Sequence, residues 1–308
     1  MRSTVGGPVA LGADPIALVI EVDGRAHVMI SADASDAWAS GAIRGPFDGA
    51  HKYALRAAAK APVAAEWAGR ALAVYTTDGR RCAATVGPLH LLGGGSPHFG
   101  EVQVWDGDQA MSPDGRVWSQ AERARAVYGM GPLYLIGELA ITGDCKPAYA
   151  TAAAAQPVVG TVDNPDPART TAAIAAFRSV PAYAEIQKSF EQDFEGKGPW
   201  APSPTVTSYQ VGAKRYVVVS AREGNGCGDF EGLLTAVFAE SAGAYTLLSN
   251  PTDGFVRVDA LVDGDGDGQV ELIGAAADFS TVTSHLTPTA GGFAATATLT
   301  FPFNDCGC

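Results

Sequence analysis

With 308 residues the chain has the length of about two domains, taking roughly 150 residues for each. Hydrophobic residues make up 47% and charged residues 18%, enough for packed cores and inconsistent with a wholly disordered chain. The formal net charge of −12 argues against nucleic acid or anionic lipid as a partner, since both require a basic face, and no apolar run approaches the ~18–20 residues of a membrane-spanning helix.

The first half reads mainly as β-structure. Residues 15–22 and 25–31 are β-rich runs on either side of Asp23-Gly24, a strong short hairpin signal, and residues 71–76 and 81–92 flank Asp78-Gly79 in the same way. Further strands are expected at 102–105 and 133–141. Two helices are expected among them. One is the alanine-rich stretch 50–59. The other opens at Ser119, which forms a capping box with Glu122, and it ends at Gly129.

Residues 146–157 are rich in Ala, Pro and Thr and, after Lys146, carry no charge, which predicts a linker over 146–163 between domains at 1–145 and 164–308. The second domain opens with a helical pair. Asn164-Pro165-Asp166-Pro167 is a helix start signal, and Pro181 restarts the chain. Ile174, Phe177, Tyr183, Ile186, Phe190 and Phe194 recur at helical spacing, as a core-facing stripe does. After a Pro/Gly hinge at 196–204, short β-rich runs at 205–211, 215–221, 233–240, 244–249, 255–262, 269–275 and 292–303 form a β-meander of sandwich or propeller type. The expected fold class is therefore α+β, mainly β: two domains rich in antiparallel hairpins, with the helical pair packed on the C-terminal meander.

Five cysteines occur, at 82, 145, 227, 306 and 308, with no Cys-x-x-Cys pair and no histidine at zinc-finger spacing. One bridge in each half is the economical reading: Cys82–Cys145, and Cys227 with Cys306 or Cys308. Oxidised thiols belong to exported proteins, secreted or held in the periplasm or cell envelope. The first residues hold no secretory apolar stretch, so export implies a processed start.

The sharpest motif is acidic. In Asp263-Gly264-Asp265-Gly266-Asp267-Gly268-Gln269-Val270-Glu271 three carboxylates alternate with glycines, so a tight loop turns their oxygens around a hard cation. Gln269 adds a backbone carbonyl and Glu271 a fourth carboxylate. Four acids within nine residues repel one another unless a cation sits among them. An EF-hand would need Glu at the twelfth loop position, which is Gly274, and the flanks alternate as strands. The segment resembles the calcium loop of FG-GAP-like secreted β-repeat proteins, over about twenty residues and in a single copy. That resemblance implies Ca²⁺ as cofactor, with Asp263, Asp265, Asp267, Gln269 (through its backbone) and Glu271 as ligands.

His90, His98 and Glu101 lie close together around a glycine-rich turn and have the composition of an open zinc site, though the spacing matches no known motif. No Gly-x-Ser-x-Gly elbow, phosphate-binding Gly-x-x-x-x-Gly-Lys-Ser/Thr loop or His-Glu-x-x-His pair occurs. Two functions follow as expectations. The first is an exported, calcium-binding, non-catalytic envelope or extracellular protein that engages a protein or glycan surface. The alternative is an extracellular metal-dependent hydrolase centred on His90, His98 and Glu101.

Overall fold

The computed structural model describes residues 16–47, 52–95, 105–106, 109–110, 116–129, 131–193, 200–224, 231–248, 257–277 and 281–301. The chain divides into two units. The first contains residues up to 155 and, of the later described residues, 281–283 and 297–301; the second contains 156–277 and 284–296.

The first unit begins with a hairpin of β1 (Ala17–Val22) and β2 (Arg25–Ser31), turned by Asp23 and Gly24 with φ of 53° and 70°. Two consecutive left-handed residues are what the favoured two-residue hairpin turn requires, and Asp followed by Gly tolerates them. The chain continues through β3 (Ser40–Phe47), β4 (Lys52–Ala57), a one-turn helix α1 (Ala64–Trp67), β5 (Ala71–Tyr75) and the long β6 (Arg81–Gly95). A small hairpin, β7 (Trp105–Asp106) with β8 (Gln109–Ala110), precedes helix α2 (Gln120–Tyr128), β9 (Tyr134–Thr142) and β10 (Tyr149–Ala152).

Six of these strands close on themselves. β1 pairs with β2, β2 with β9, β9 with β6, β6 with β5, β5 with β10 and β10 with β1, all antiparallel, while β4 and β3 extend the sheet from the second half of β6. The closed ring encloses an apolar core that includes Val19, Val28, Ile30, Val74, Leu91 and Leu135. Ring closure leaves these six strands no free edge. Gly137 on β9 sits where a Cβ would come within 2.7 Å of the Val86 side chain on the adjacent strand β6, so a side chain there would push the neighbouring strands' core residues aside. Cys82 on β6 is bonded to Cys145, ahead of β10, with Cα atoms 6.5 Å apart. Cys227, Cys306 and Cys308 lie outside the described residues.

One expectation for this region is corrected and another refined. The alanine-rich stretch at 50–59 holds strand β4, not a helix. Alanine's helical advantage is only about half a kcal/mol per residue, and it yields to six ladder pairings with β6 and the burial of Ala54 and Leu55. The stretch 146–163, expected as a linker, contains the division between the two units, after Ala155, but also three strands: β10 inside the ring, then β11 (Val158–Val159) and β12 (Thr161–Asp163). The small uncharged residues of β10 are those of a buried strand: Ala150 and Thr151 are fully covered, and Tyr149 stacks on Tyr75 with ring centres 5.1 Å apart. The strand expected at 102–105 falls almost wholly outside the described residues. The capping box forms as read, with Glu122 N donating to Ser119 Oγ and Ser119 N to Glu122 Oε2.

The second unit has three layers. α3 (Pro167–Arg178), capped by the Asp166 side chain on Arg169 N with Pro167 in the first turn, and α4 (Pro181–Asp193) form one. A five-stranded antiparallel sheet follows in the order β12, β13 (Thr205–Val211), β14 (Lys214–Gly224), β15 (Glu231–Ser241) and β16 (Ala244–Leu247). A second five-stranded sheet runs β11, β17 (Arg257–Asp263), β18 (Glu271–Ala277), β19 (Thr281–Thr289) and β20 (Gly292–Thr300), the last two belonging to this unit over residues 284–296. The middle sheet uses both faces at period two. Val217, Val219, Leu234, Ala236 and Phe238 bury with Phe177, Tyr183, Phe190 and Trp200. Tyr209, Tyr216, Val218 and Val237 bury with Leu261, Leu272 and Leu286 of the second sheet. Trp200, expected in a hinge, is 1% exposed and packs 5.1 Å from Tyr183. Between α3 and the sheet, Arg169 forks onto Glu240 at 2.8 and 3.2 Å and reaches Ser208 and Asp163.

No helix among the described residues is long and apolar enough to cross a membrane.

Candidate cation-binding loop

β17 ends on Asp263 and β18 begins on Glu271, so the acidic motif is the connection between two neighbouring antiparallel strands. Both end residues are buried, while Asp265 and Asp267 are exposed at the tip. Gly266 and Gly268 adopt φ of 78° and 81°, a region that L side chains avoid, and these two turns fold the loop back over Asp263.

The loop backbone is organised by its own carboxylates. Asp263 accepts from Gly266 N at 2.7 Å and, with its other oxygen, from Gly268 N at 3.0 Å. Asp265 accepts from Asp267 N at 3.0 Å, and Asp267 accepts from Gln269 N at 2.7 Å and from the Gln269 side chain at 2.8 Å. The outcome is convergence: Asp263, Asp265 and Asp267 each offer an oxygen, and these oxygens lie within 4.8 Å of one another.

The other two sequence-derived ligands are placed differently. Glu271 accepts from Gly264 N at 2.8 Å and so ties the two ends of the loop together outside the aspartate trio, while the Gln269 side chain caps Asp267. Burial pushes the Glu271 carboxyl above its ordinary range, opposed by the bond from Gly264. The one cation described at the loop is Lys214, whose ammonium donates to the carbonyl of Gly268 at the side of the loop. Beside it lies a cleft of about 380 Å³ lined by Lys214, Tyr216, Leu248, Val270 and Phe293, within the size range of small-molecule sites.

Of the histidine group of the sequence reading, only His90 is among the described residues. His98 and Glu101 lie outside the described residues. His90 is on β6, 7% exposed, and its neighbours are His27 of β2 and Glu138 of β9, each offering a ligand atom within 4.8 Å of the others. Sequence reasoning missed this group because its members stand 63 and 48 positions apart and meet only through strand register. Burial and the adjacent Arg44 lower His90 to about 4, and burial lowers His27, so both rings are neutral at pH 7.

Comparison with known proteins finds no matching family model, no matching curated protein and no matching solved structure. The functional reading therefore rests on the residues themselves.

Proposed function

We propose that the chain is an exported calcium-binding protein of the cell envelope or exterior, non-catalytic, which acts by engaging a protein or glycan surface. The observation that carries this reading is the convergence of the Asp263, Asp265 and Asp267 oxygens at the junction of β17 and β18. Three carboxylates this close repel one another, and backbone N–H groups offset only part of that repulsion. A hard divalent cation accepts six to eight oxygens at about 2.3–2.6 Å, so contraction around Ca²⁺ leaves coordination places for the Gln269 carbonyl and water. Glu271, bonded to Gly264, stands one step back and braces the loop ends. The likeness to FG-GAP-type calcium loops points the same way. The Cys82–Cys145 bond supports an oxidising compartment.

In this reading the ion fixes the β17–β18 connection and the neighbouring cleft, and so shapes the binding face. At the 10⁻⁴–10⁻³ M affinity of extracellular calcium modules, millimolar calcium adds on the order of 1 kcal/mol of stability by mass action. Calorimetric titration should show calcium binding that is lost in Asp265→Asn. The melting midpoint should rise with calcium in the wild type and stay fixed in the variant. Identical calcium responses of the two proteins would remove the proposal.

A further inference from the structure

The first unit holds a second group of ligand-type side chains, independent of the acidic loop. His27 and Glu138 are direct cross-strand partners on β2 and β9, and His90 pairs with Ile136, two residues before Glu138 on β9. Their common face results from a bulge. Along β6, Val86, Leu89 and Leu91 all belong to the barrel core, an arrangement strict alternation forbids, and the register against β9 shifts between Val86 and Leu89. The residues in the bulge are Gly87, whose Cβ position is 3.4 Å from the Glu138 carbonyl, and Pro88, which has no N–H for the ladder. Without the bulge His90 would point into the apolar core. With it, His90 turns to the opposite face, beside His27 and Glu138.

We propose that His27, His90 and Glu138 form a binding site for a divalent transition-metal ion of the zinc class, and that Arg44 and Arg25 occupy the charge of that ion in the metal-free protein.

Two imidazoles and a carboxylate are the ligand set of open zinc sites, which leave a position for water, and nitrogen donors disfavour calcium. Ligand atoms already within 4.8 Å need to close by only about 1 Å to satisfy bonds of 2.0–2.2 Å. His27 is oriented as metal-ligating histidines are. Its Nδ1 lies 3.0 Å from the Arg25 carbonyl, which can only accept, so Nδ1 carries the proton and Nε2 presents its lone pair. Glu138 receives Arg25 on one oxygen at 2.6 Å, leaving the other free of that contact, and its side chain is 25% exposed, which gives an ion a way in.

His90 supplies the distinguishing detail. Its Nε2 is 3.2 Å from the Arg44 guanidinium, and its buried Nδ1 has no partner among the described residues. A guanidinium only donates, so Nε2 accepts and Nδ1 holds the proton. Metal bound at Nε2 would take the lone pair that Arg44 uses. Metal bound at Nδ1 would require a proton on Nε2, facing a donor. Either way Arg44 must withdraw, and it is exposed and able to do so. The two arginines carry +2, the charge of the ion that would replace them, so Arg44 acts as a competitor of the metal.

The test uses the full chain without an affinity tag, stripped by chelation and titrated with Zn²⁺, then with Co²⁺ as a spectroscopic stand-in. The wild type should bind one more equivalent of zinc than Glu138→Gln or His27→Gln, and Co²⁺ should give visible ligand-field bands that both variants lose. Asp265→Asn should bind zinc as the wild type does, which separates this site from the loop. Arg44→Met should bind at least about tenfold more tightly, since it removes one charge-assisted competitor. Circular dichroism checks that each variant is folded; if His27→Gln is not, the partly exposed Glu138→Gln decides alone. Equal zinc stoichiometry in wild type and Glu138→Gln, or weaker binding by Arg44→Met, overturns the proposal.

Discussion

The two units solve the problem of the β-sheet edge in opposite ways. In the first, six strands pair in a ring, and strands that meet come from opposite ends of the stretch from Ala17 to Ala152, as β1 meets β10. In the second, the middle sheet is a meander of sequence neighbours covered on one face by helices and on the other by a second sheet. Chemistry follows topology. The ring gathers His27, His90 and Glu138 from three strands distant in sequence, whereas the sheet that contains β17 and β18 gathers Asp263, Asp265 and Asp267 within one connection. A closed ring fixes register globally and therefore builds non-local sites; an open sheet leaves its turns to carry local ones.

Separating the two kinds of stabilisation is the strongest way to test that contrast. Replacing Cys82 and Cys145 by serine removes a link across 63 residues of the ring and should cost about 4 kcal/mol by chain entropy. Amide exchange should accelerate in β5, β6 and β10 while β13 to β15 keep their protection. Loss of protection in both units together would break the comparison. Phe177→Ala probes the other side. Phe177 is fully buried and meets Tyr183 edge-on at 5.6 Å, so truncation should cost about 3 kcal/mol and loosen α3, α4, β14 and β15 while sparing the ring. Arg169→Met should cost somewhat less, about 2 kcal/mol. It leaves the Glu240 side chain, 6% exposed, with Arg215 at 3.6 Å as its nearest compensating charge. A neutral effect on the thermal midpoint would mean that Arg215 takes over fully.

What could be read in advance divides along the same line. The Asp23-Gly24 turn, the Ser119 cap, the Asp166-Pro167 start and the later strands other than β19 were legible because turns, caps and period-two burial are written in adjacent residues. The acidic loop was legible for the same reason, although the structure moves Glu271 off the trio and onto Gly264. Ring closure was not legible. Nothing near Tyr149 announces that it pairs with Leu18 and Tyr75, and an Ala/Thr-rich strand buried in a barrel has the composition of a linker. His90 attracted notice as a ligand-type residue, but its companions are set by the bulge at Gly87-Pro88 and by the β2–β9 register, both invisible to spacing.

The smallest effect concerns α2, whose first turn is held by a capping box. Ser119 Oγ accepts from Glu122 N at 3.3 Å, Glu122 Oε2 accepts from Ser119 N at 2.8 Å, and Arg116 grips the same carboxylate at 2.8 and 3.1 Å. Ser119→Ala removes one arm of this box and should cost about 1 kcal/mol, while Ser119→Asp, which can still accept from Glu122 N, should cost less. The hydrogen bonds from Arg116, followed by those from Ser119, lower the Glu122 carboxyl from 4.5 to about 2. A folded-state value below the unfolded one means that the unfolded chain binds the proton more readily. The contribution of Glu122 is therefore complete above pH 4.5 and declines as the pH falls from there towards 2. Glu122→Gln should flatten the local protection of α2 across that window and leave β13 to β15 unchanged. If the amides of α2 show the same pH response in both proteins, the cap is not what holds the helix, and its buried face of Ala124, Val127 and Tyr128 must do so instead.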